Sequence, residues 1–443
     1  MLAFVLVLVL VLGINTLVWG CTGLSRALLR LSRGRRASAA DPLLSVDDVA
    51  VLIAAHNEEL VIAHTIDSAL SVGVPSSHVF VASDGSSDAT ARLARSLGAQ
   101  VLELNPNRGK AGALSAAIEH FRLADDFEVV MLLDADTRLA SDYMATGLPL
   151  FDGDDVVAVA GRAATITEPP APTRMGRFLV AYRERFYVVV QYVLKYGQAA
   201  RRANVVSIVP GFASMYRTRI LSSIDISAPG LAIEDFNMTF EVHAKKLGRI
   251  AFHPAAAIAY TQDPDSYRDY TKQLRRWSLG FWQTVRRHGF HFRRFWGALA
   301  LFIVELLSSS AMLLLTIPLL LVSIGASVAE NVGIALGGLA GDLPHLLPPF
   351  AVVLGVLVPD YALTVLVVIV TRRPRYLLLG LGFPLMRIVD AAICLRTLPE
   401  AYFPKLAGRS NGTWKSPERR IIATEAPLMS AHAGRHTRVD GET

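Results

Sequence analysis

An α/β domain built on a doubly wound, mostly parallel sheet, joined to transmembrane and interfacial α-helices, is the fold class this sequence predicts. Three observations predict it. Short β-branched runs alternate with amphipathic stretches from about residue 48 to residue 265. Long apolar runs flank that segment, and Lys and Arg gather beside them. Overall the 443 residues are 52% hydrophobic and 19% charged with mean hydropathy +0.39, between a soluble enzyme and a pure membrane protein.

Residues 1–24 are expected to form an amino-terminal transmembrane helix, because Leu2 to Gly20 is almost all Val, Leu, Ile and Phe. A cleaved secretion signal would carry a basic stretch before the apolar run. Here Arg26, Arg30, Arg33, Arg35 and Arg36 follow it, in a basic juxtamembrane linker at 25–47, so the next domain should face the cytoplasm. Further cations cluster at Arg286 to Arg294 and Arg372 to Arg375. With a net charge of +6 and a pI near 9.4 this pattern suits anionic lipid headgroups, and no nucleic-acid partner is expected. Cys21 and Cys394 stand far apart, without metal-ligand spacing, which excludes a disulfide framework or a zinc site.

In the cytoplasmic domain at 48–265, strands are predicted at Val49 to Ala55, Val79 to Ser83, Gln100 to Leu104 and Val129 to Leu133. Helices are predicted at Glu59 to Val72, Asp88 to Leu97 and Ala111 to Leu123. Such sheets bind ligands beyond the carboxyl ends of their strands. Three strand ends carry polar clusters there: Ala55-His56-Asn57-Glu58-Glu59, Ser83-Asp84-Gly85-Ser86-Ser87-Asp88 and Leu133-Asp134-Ala135-Asp136-Thr137. Turn chemistry and a helix cap at Asp88 would explain any one of them, but poorly all three. Asp134 and Asp136 suit a hard divalent ion, Mg²⁺ or Mn²⁺, bridging protein and phosphate. Asn107-Arg108-Gly109-Lys110 offers cations to a diphosphate. Neither a P-loop nor a dinucleotide-binding fingerprint is present.

Beyond the domain, residues 266–297 read as interfacial amphipathic helices with Tyr270, Trp277, Phe281 and Trp282 among Arg residues, and Arg174 to Arg202 reads as an interfacial anchor without chemistry. Transmembrane or interfacial helices follow at 298–404. Ala298 to Ile324 and Pro349 to Val370 should span. Tyr376 to Leu398, with Arg387, Asp390, Arg396 and Pro384, spans, re-enters or lies along the interface, and a non-spanning element with a cytoplasmic tail is the favoured alternative. Glu305 and Asp360, charges inside apolar spans, either line a conduit or are structural, as a pair or as charges close to the interface. A polar tail at 405–443 is expected to be partly disordered, from Glu425 onward.

Two later motifs add a resemblance. Ile233-Glu234-Asp235 and Gln273-Leu274-Arg275-Arg276-Trp277, following Asp84 and the Asp134/Asp136 pair in order, make residues 48 to 290 resemble the processive branch of glycosyltransferase family 2, which includes hyaluronan, cellulose, chitin and poly-N-acetylglucosamine synthases. The poly-N-acetylglucosamine group looks nearest, through Glu234-Asp235-Phe236-Asn237-Met238-Thr239 and Trp414-Lys415-Ser416-Pro417-Glu418-Arg419. Ala54 and His56 depart from that family's usual Pro and Tyr, and one amino-terminal span stands where the group often has two.

The resemblance implies a GT-A-like fold and a processive, inverting transferase of the cell membrane that polymerises sugar from a UDP-sugar, best UDP-N-acetylglucosamine, onto a polysaccharide. It implies that Ala55, Glu58 and Asp84 hold the uridine. Asp136, helped by Asp134, would bind Mg²⁺ or Mn²⁺, while Lys110, Arg275 and Arg276 offset charge on the leaving UDP and Gln273 bonds phosphate or sugar. Asp235 would be the general base, with Glu234 raising its pKa. Trp277 would stack on the acceptor sugar, Gly211, Phe212 and Ala213 would line its approach, and Trp414 would cover the donor. Partner proteins that take the polymer outward fit the same picture. Single-sugar transfer to a polyprenyl phosphate, or a non-catalytic export subunit, are the alternatives.

Overall fold

The computed structural model describes residues 13–32, 44–334, 337–346 and 348–403. Most of the first apolar run, Arg33 to Arg36, and the tail with Trp414 lie outside the described residues.

β1 (Val49–Ala55), β2 (Val79–Asp84), β3 (Gln100–Leu104) and β4 (Val129–Asp134) fall within one residue of the β-branched runs that predict them. The intervening helices α2 (Ile62–Ser71), α3 (Thr90–Ser96) and α4 (Gly109–His120) have shifted bounds. The shifts come from local capping: Asp88 accepts from the Thr90 N–H at 3.0 Å and Glu59 from the Ala89 N–H at 3.0 Å, so these acids close turns ahead of helices.

β5 (Arg138–Leu139), β6 (Val156–Val159), β7 (Arg162–Thr165), β8 (Ala213–Arg217), β9 (Arg249–Ala251) and β10 (Ile258–Thr261) complete two sheets. The larger has order β3-β2-β1-β4-β8-β6-β9, the smaller β5-β10-β7. β1 to β4 are parallel, and β8 runs antiparallel to β4 and β6. Side chains alternate between two cores: Val49, Val51 and Ile53 enter one, Ala50, Leu52 and Ala54 the other. Burial on both faces is why these strands read as continuous apolar runs. Reversal of β8 brings its first residue to the carboxyl ends of the parallel strands, and the Asp134 N–H donates to the Phe212 carbonyl at 2.9 Å.

On the membrane side, α1 (Ile14–Ser32) runs past Gly20 into the stretch expected as a linker. Glu305 caps it, accepting from the Asn15 N–H at 2.8 Å and the Asn15 amide at 3.0 Å. A Cβ on Gly13, whose φ is +81°, would lie 1.7 Å from Glu305 Oε1. α5 (Arg174–Val188) continues as a π-helix at Val189–Lys195. There Gln191 turns its amide to the rim of β7: Oε1 accepts from the Ala163 N–H at 2.7 Å and Nε2 donates to the Ala163 carbonyl at 2.9 Å.

After α6 (Asp235–Ala244), Ser266 caps α7 (Tyr267–His288) by accepting from the Asp269 N–H. α8 (Arg294–Asn331), α9 (Pro349–Thr371) and the segment Tyr376–Tyr402, which contains α10 (Phe383–Tyr402), are each long and apolar enough to cross a membrane. Asp360 is no isolated charge: Arg185 bonds both its oxygens and Arg387 lies 3.1 Å away. Glu305 and Asp360 therefore take the structural of the two readings offered for them.

Candidate active site

β4 ends in Asp134, α4 begins with Gly109 and Lys110, and α6 begins with Asp235 after Glu234; the sheet brings these three termini together. Lys110 Nζ sits 2.6 Å from Asp134 Oδ1 and 2.9 Å from Glu234 Oε1. A Cβ on Gly211 would lie 3.0 Å from Glu234 Oε1 and 3.2 Å from Lys110 Nζ, so a larger residue there would crowd the pair. The Gly211 N–H faces Asp235 Oδ2 at 3.5 Å, and the Phe236 N–H donates to Asp235 Oδ1 at 2.8 Å.

Burial and the neighbouring Glu234 push the Asp235 carboxyl up to about 6. Burial also raises Asp134. Glu234 is held below its ordinary value because Lys110, with help from Arg276, outweighs the burial that would raise it. The same carboxylates raise the Lys110 ammonium against its burial. Lys110 thus sits between Asp134 and Glu234, with Asp235 beside them, Asp136 two residues from Asp134 and Arg276 acting on Glu234.

Among the described residues no three His, Cys, Asp or Glu side chains form a ready metal cage. Asp134 and Asp136 fit a divalent ion that takes its remaining oxygens from a substrate, the arrangement hard ions adopt with phosphates.

Two strands away, Asp84 is fully buried at the end of β2. Two strand spacings and a two-residue offset along β2 set its backbone about 12 Å from that of Asp134. Its Oδ1 accepts from the Arg108 N–H at 2.7 Å, while the buried Oδ2 has no hydrogen-bond partner. Burial raises this carboxyl despite the Arg108 and Gly109 N–H groups. His56 Nδ1 and the Asn107 amide meet the Asp84 carbonyl at 2.6 and 2.9 Å. Ala55 and Glu58, beside it, are buried.

α7 divides its motif between two faces. Arg276 is exposed and acts on Glu234, whereas Arg275, expected at the donor, pairs with Glu400 of α10 at 2.7 Å. Gln273 Oε1, expected on phosphate or sugar, accepts from Arg183 at 2.8 Å. The Arg183 guanidinium lies 4.5 Å over the Trp277 ring and 4.8 Å over Tyr270, leaving one Trp277 face covered. Arg183 Nε is 3.7 Å from Asp263 Oδ1, and Tyr187 donates to the same oxygen at 3.0 Å. Burial, ahead of the Arg183 charge, pushes Asp263 up to about 6.

Arg183, Tyr187 and Asp263 were not among the expected site residues. Arg183 and Tyr187 belong to a stretch whose aromatic and basic composition reads as a membrane anchor, and Asp263 follows a strand too short to stand out. Lys195 was missed as well: it is buried, 5.3 Å from the Phe252 ring, and burial brings it down to about 8 in spite of Asp235. Ala213 lies wholly within β8 and Gly211 is buried, leaving the half-buried Phe212 as the accessible part of that loop.

Residues 47–280 match the family described as Glycosyltransferase like family 2. The chain is 24% identical over 253 residues to poly-β-1,6-N-acetyl-D-glucosamine synthase of Staphylococcus epidermidis, covering 54% of this chain and 58% of that one. With the synthase of the same name from Staphylococcus aureus strain COL it shares 24% over 256 residues, 56% of this chain and 59% of the relative. The chain thus spans less than two thirds of the length of these relatives. A solved mannosyltransferase from Pyrobaculum calidifontis, in complex with GDP-mannose and Mn²⁺, is similar with TM-score 0.50 and 17% identity over 88% of this chain and 99% of that one. The shared fold is GT-A.

Proposed function

We propose that this chain, which belongs to glycosyltransferase-like family 2, polymerises sugar from UDP-N-acetylglucosamine into a β-linked polysaccharide at the inner face of the cell membrane. One observation carries the reading: a carboxylate pushed up to about 6, Asp235, stands at a helix start beside a Lys110-bridged acidic cluster. A base titrating near neutrality can take a proton from an acceptor hydroxyl. The choice of N-acetylglucosamine rests on the Staphylococcus relatives.

In this reading Asp84 receives the nucleoside, since its unpartnered buried Oδ2 lacks a donor that a nucleobase N–H supplies. The diphosphate lies between it and Asp134/Asp136. Mg²⁺ or Mn²⁺ held there would screen the phosphate charge. Lys110 and Arg276 offset the charge that grows on the departing UDP. Asp235 takes the acceptor proton as the hydroxyl attacks the anomeric carbon opposite UDP, so one displacement turns an α-linked donor into a β-linked product. Trp277 offers its uncovered face to the acceptor sugar, and Gly211 and Phe212 flank the approach. Arg275 holds α7 to α10 through Glu400.

The test is UDP release across a panel of nucleotide sugars, with Mg²⁺, with Mn²⁺ and with EDTA, followed by product sizing. UDP-N-acetylglucosamine should turn over only with metal and give polymer. Turnover in EDTA would remove the metal role of Asp134 and Asp136, and a lipid carrying one sugar would replace the polymerase reading.

A further inference from the structure

A single guanidinium lies along one face of α7. Arg183 of α5 stacks 4.8 Å over Tyr270 and 4.5 Å over Trp277, and its Nη2 donates to Gln273 Oε1 at 2.8 Å. Positions 270, 273 and 277 recur at helical spacing, so they form one row. Arg183 is buried, and Asp263 and Asp390 both act on its charge.

Asp390 of α10 fixes that row from the membrane side. Its Oδ1 accepts from the Tyr270 hydroxyl and its Oδ2 from the Tyr182 hydroxyl, each at 2.7 Å. Tyr182 precedes Arg183 on α5, so one carboxyl group ties both helices where the guanidinium crosses between them. Arg183 and Arg387 both act on this carboxyl. Tyr182 and Tyr270 are themselves buried, 5% and 2% exposed, so water is poorly placed to replace Asp390 at their hydroxyls. Without Asp390 the Tyr270 ring is loose at its tip, and Arg183 loses a fixed wall on the side opposite Trp277.

We propose that Asp390 is a positioning residue for sugar transfer: by holding Tyr270 and Tyr182 it fixes Arg183 against the covered face of Trp277, and so sets where the open face of that ring meets the acceptor. It acts through these side chains and not on the sugar itself. The inference rests on Trp277 being the acceptor platform, as in the proposed function, and adds that a helix of the membrane region sets the geometry there.

The experiment takes the full chain in nanodiscs with UDP-N-acetylglucosamine, varies a short β-linked N-acetylglucosamine oligomer as acceptor, and reads polymer formed and UDP released into water separately. Asp390→Leu should raise the acceptor KM about tenfold or more, with donor KM and release into water within about twofold of wild type. Asp390→Asn, which accepts from one tyrosine and donates to the other, should recover most of the loss. On a Trp277→Leu background, Asp390→Leu should add less than about twofold, because both changes act on one contact. Additive losses, equal loss of polymer and water release, or wild-type kinetics in Asp390→Leu would overturn the positioning role while leaving Trp277 in place. An unchanged acceptor KM in Trp277→Leu would instead remove the acceptor platform, and the inference with it. Should Asp390→Leu not fold, Tyr270→Phe severs one of the two bonds and keeps the ring, and the same cycle then decides on a loss of about threefold.

Discussion

At the scale of single residues, Asp235 is where burial and charge meet. Asp235→Asn should lower transfer by a factor of about a thousand or more while the donor KM changes little, since the amide keeps the volume but cannot accept the proton. The pH dependence has a definite sign. A carboxyl at about 6 is charged above that pH, so kcat/KM should be flat from about pH 7 and fall about tenfold per unit below about pH 5. Because Glu234 and Lys110 share the field, the inflection belongs to the group of three. A profile flat down to pH 4 would remove Asp235 as base. Arg183→Lys gives a second, different expectation. A lysine lacks the planar fork that reaches Gln273 while stacking on Trp277. Polymer yield should drop about tenfold or more with donor KM and UDP release into water little changed; equal loss of both would make Arg183 merely structural. Asp84, Asp134, Asp136, Glu234 and Asp235 were legible because each sits in a short motif at an element boundary. Arg183 and Asp263 were not, because their meaning lies in a contact across 80 residues of chain, and neither neighbourhood carries a local signal.

Among elements, the parallel strands were legible to within a residue because both faces are buried and apolar runs have sharp ends. Helix bounds were less so, since the acids that look like helix starts close turns instead. The antiparallel β8 and the small second sheet left no alternation to read over two to five residues. α10 shows a different limit: its hydropathy is that of a span, yet several of its polar groups find partners in the protein. Asp390 accepts from Tyr182 and Tyr270, each at 2.7 Å, Glu400 pairs with Arg275, and the Cys394 carbonyl accepts from the Trp282 indole at 3.1 Å. Tyr270, Arg275 and Trp282 thus tie α7 to the stretch of α10 from Asp390 to Glu400, which suits two helices lying together along the interface. A reporter fused after Phe403 should accordingly be reached by a membrane-impermeant reagent only from the cytoplasmic side; labelling from outside would make α10 a span.

For the whole molecule, α5 is the seam between transferase domain and membrane helices. Four consecutive residues reach across it: Tyr182 to Asp390, Arg183 to Gln273, Glu184 to Arg373 and Arg185 to Asp360. Asp360→Asn would leave Arg185 buried without its counter-charge and should cost about 3 kcal/mol or more, read as lost thermal stability in detergent. A cost near zero would mean the seam is held by packing alone, through Leu179, Val367 and Phe383. The π-helical turn beyond α5 has a consequence for assembly. Sheet rims with free main-chain amides invite neighbouring polypeptides to add a strand. At the middle of β7 that invitation is withdrawn, because the carboxamide of Gln191 fills the place a foreign backbone would take. A polypeptide approaching the rim of β7 therefore meets a closed border at Ala163.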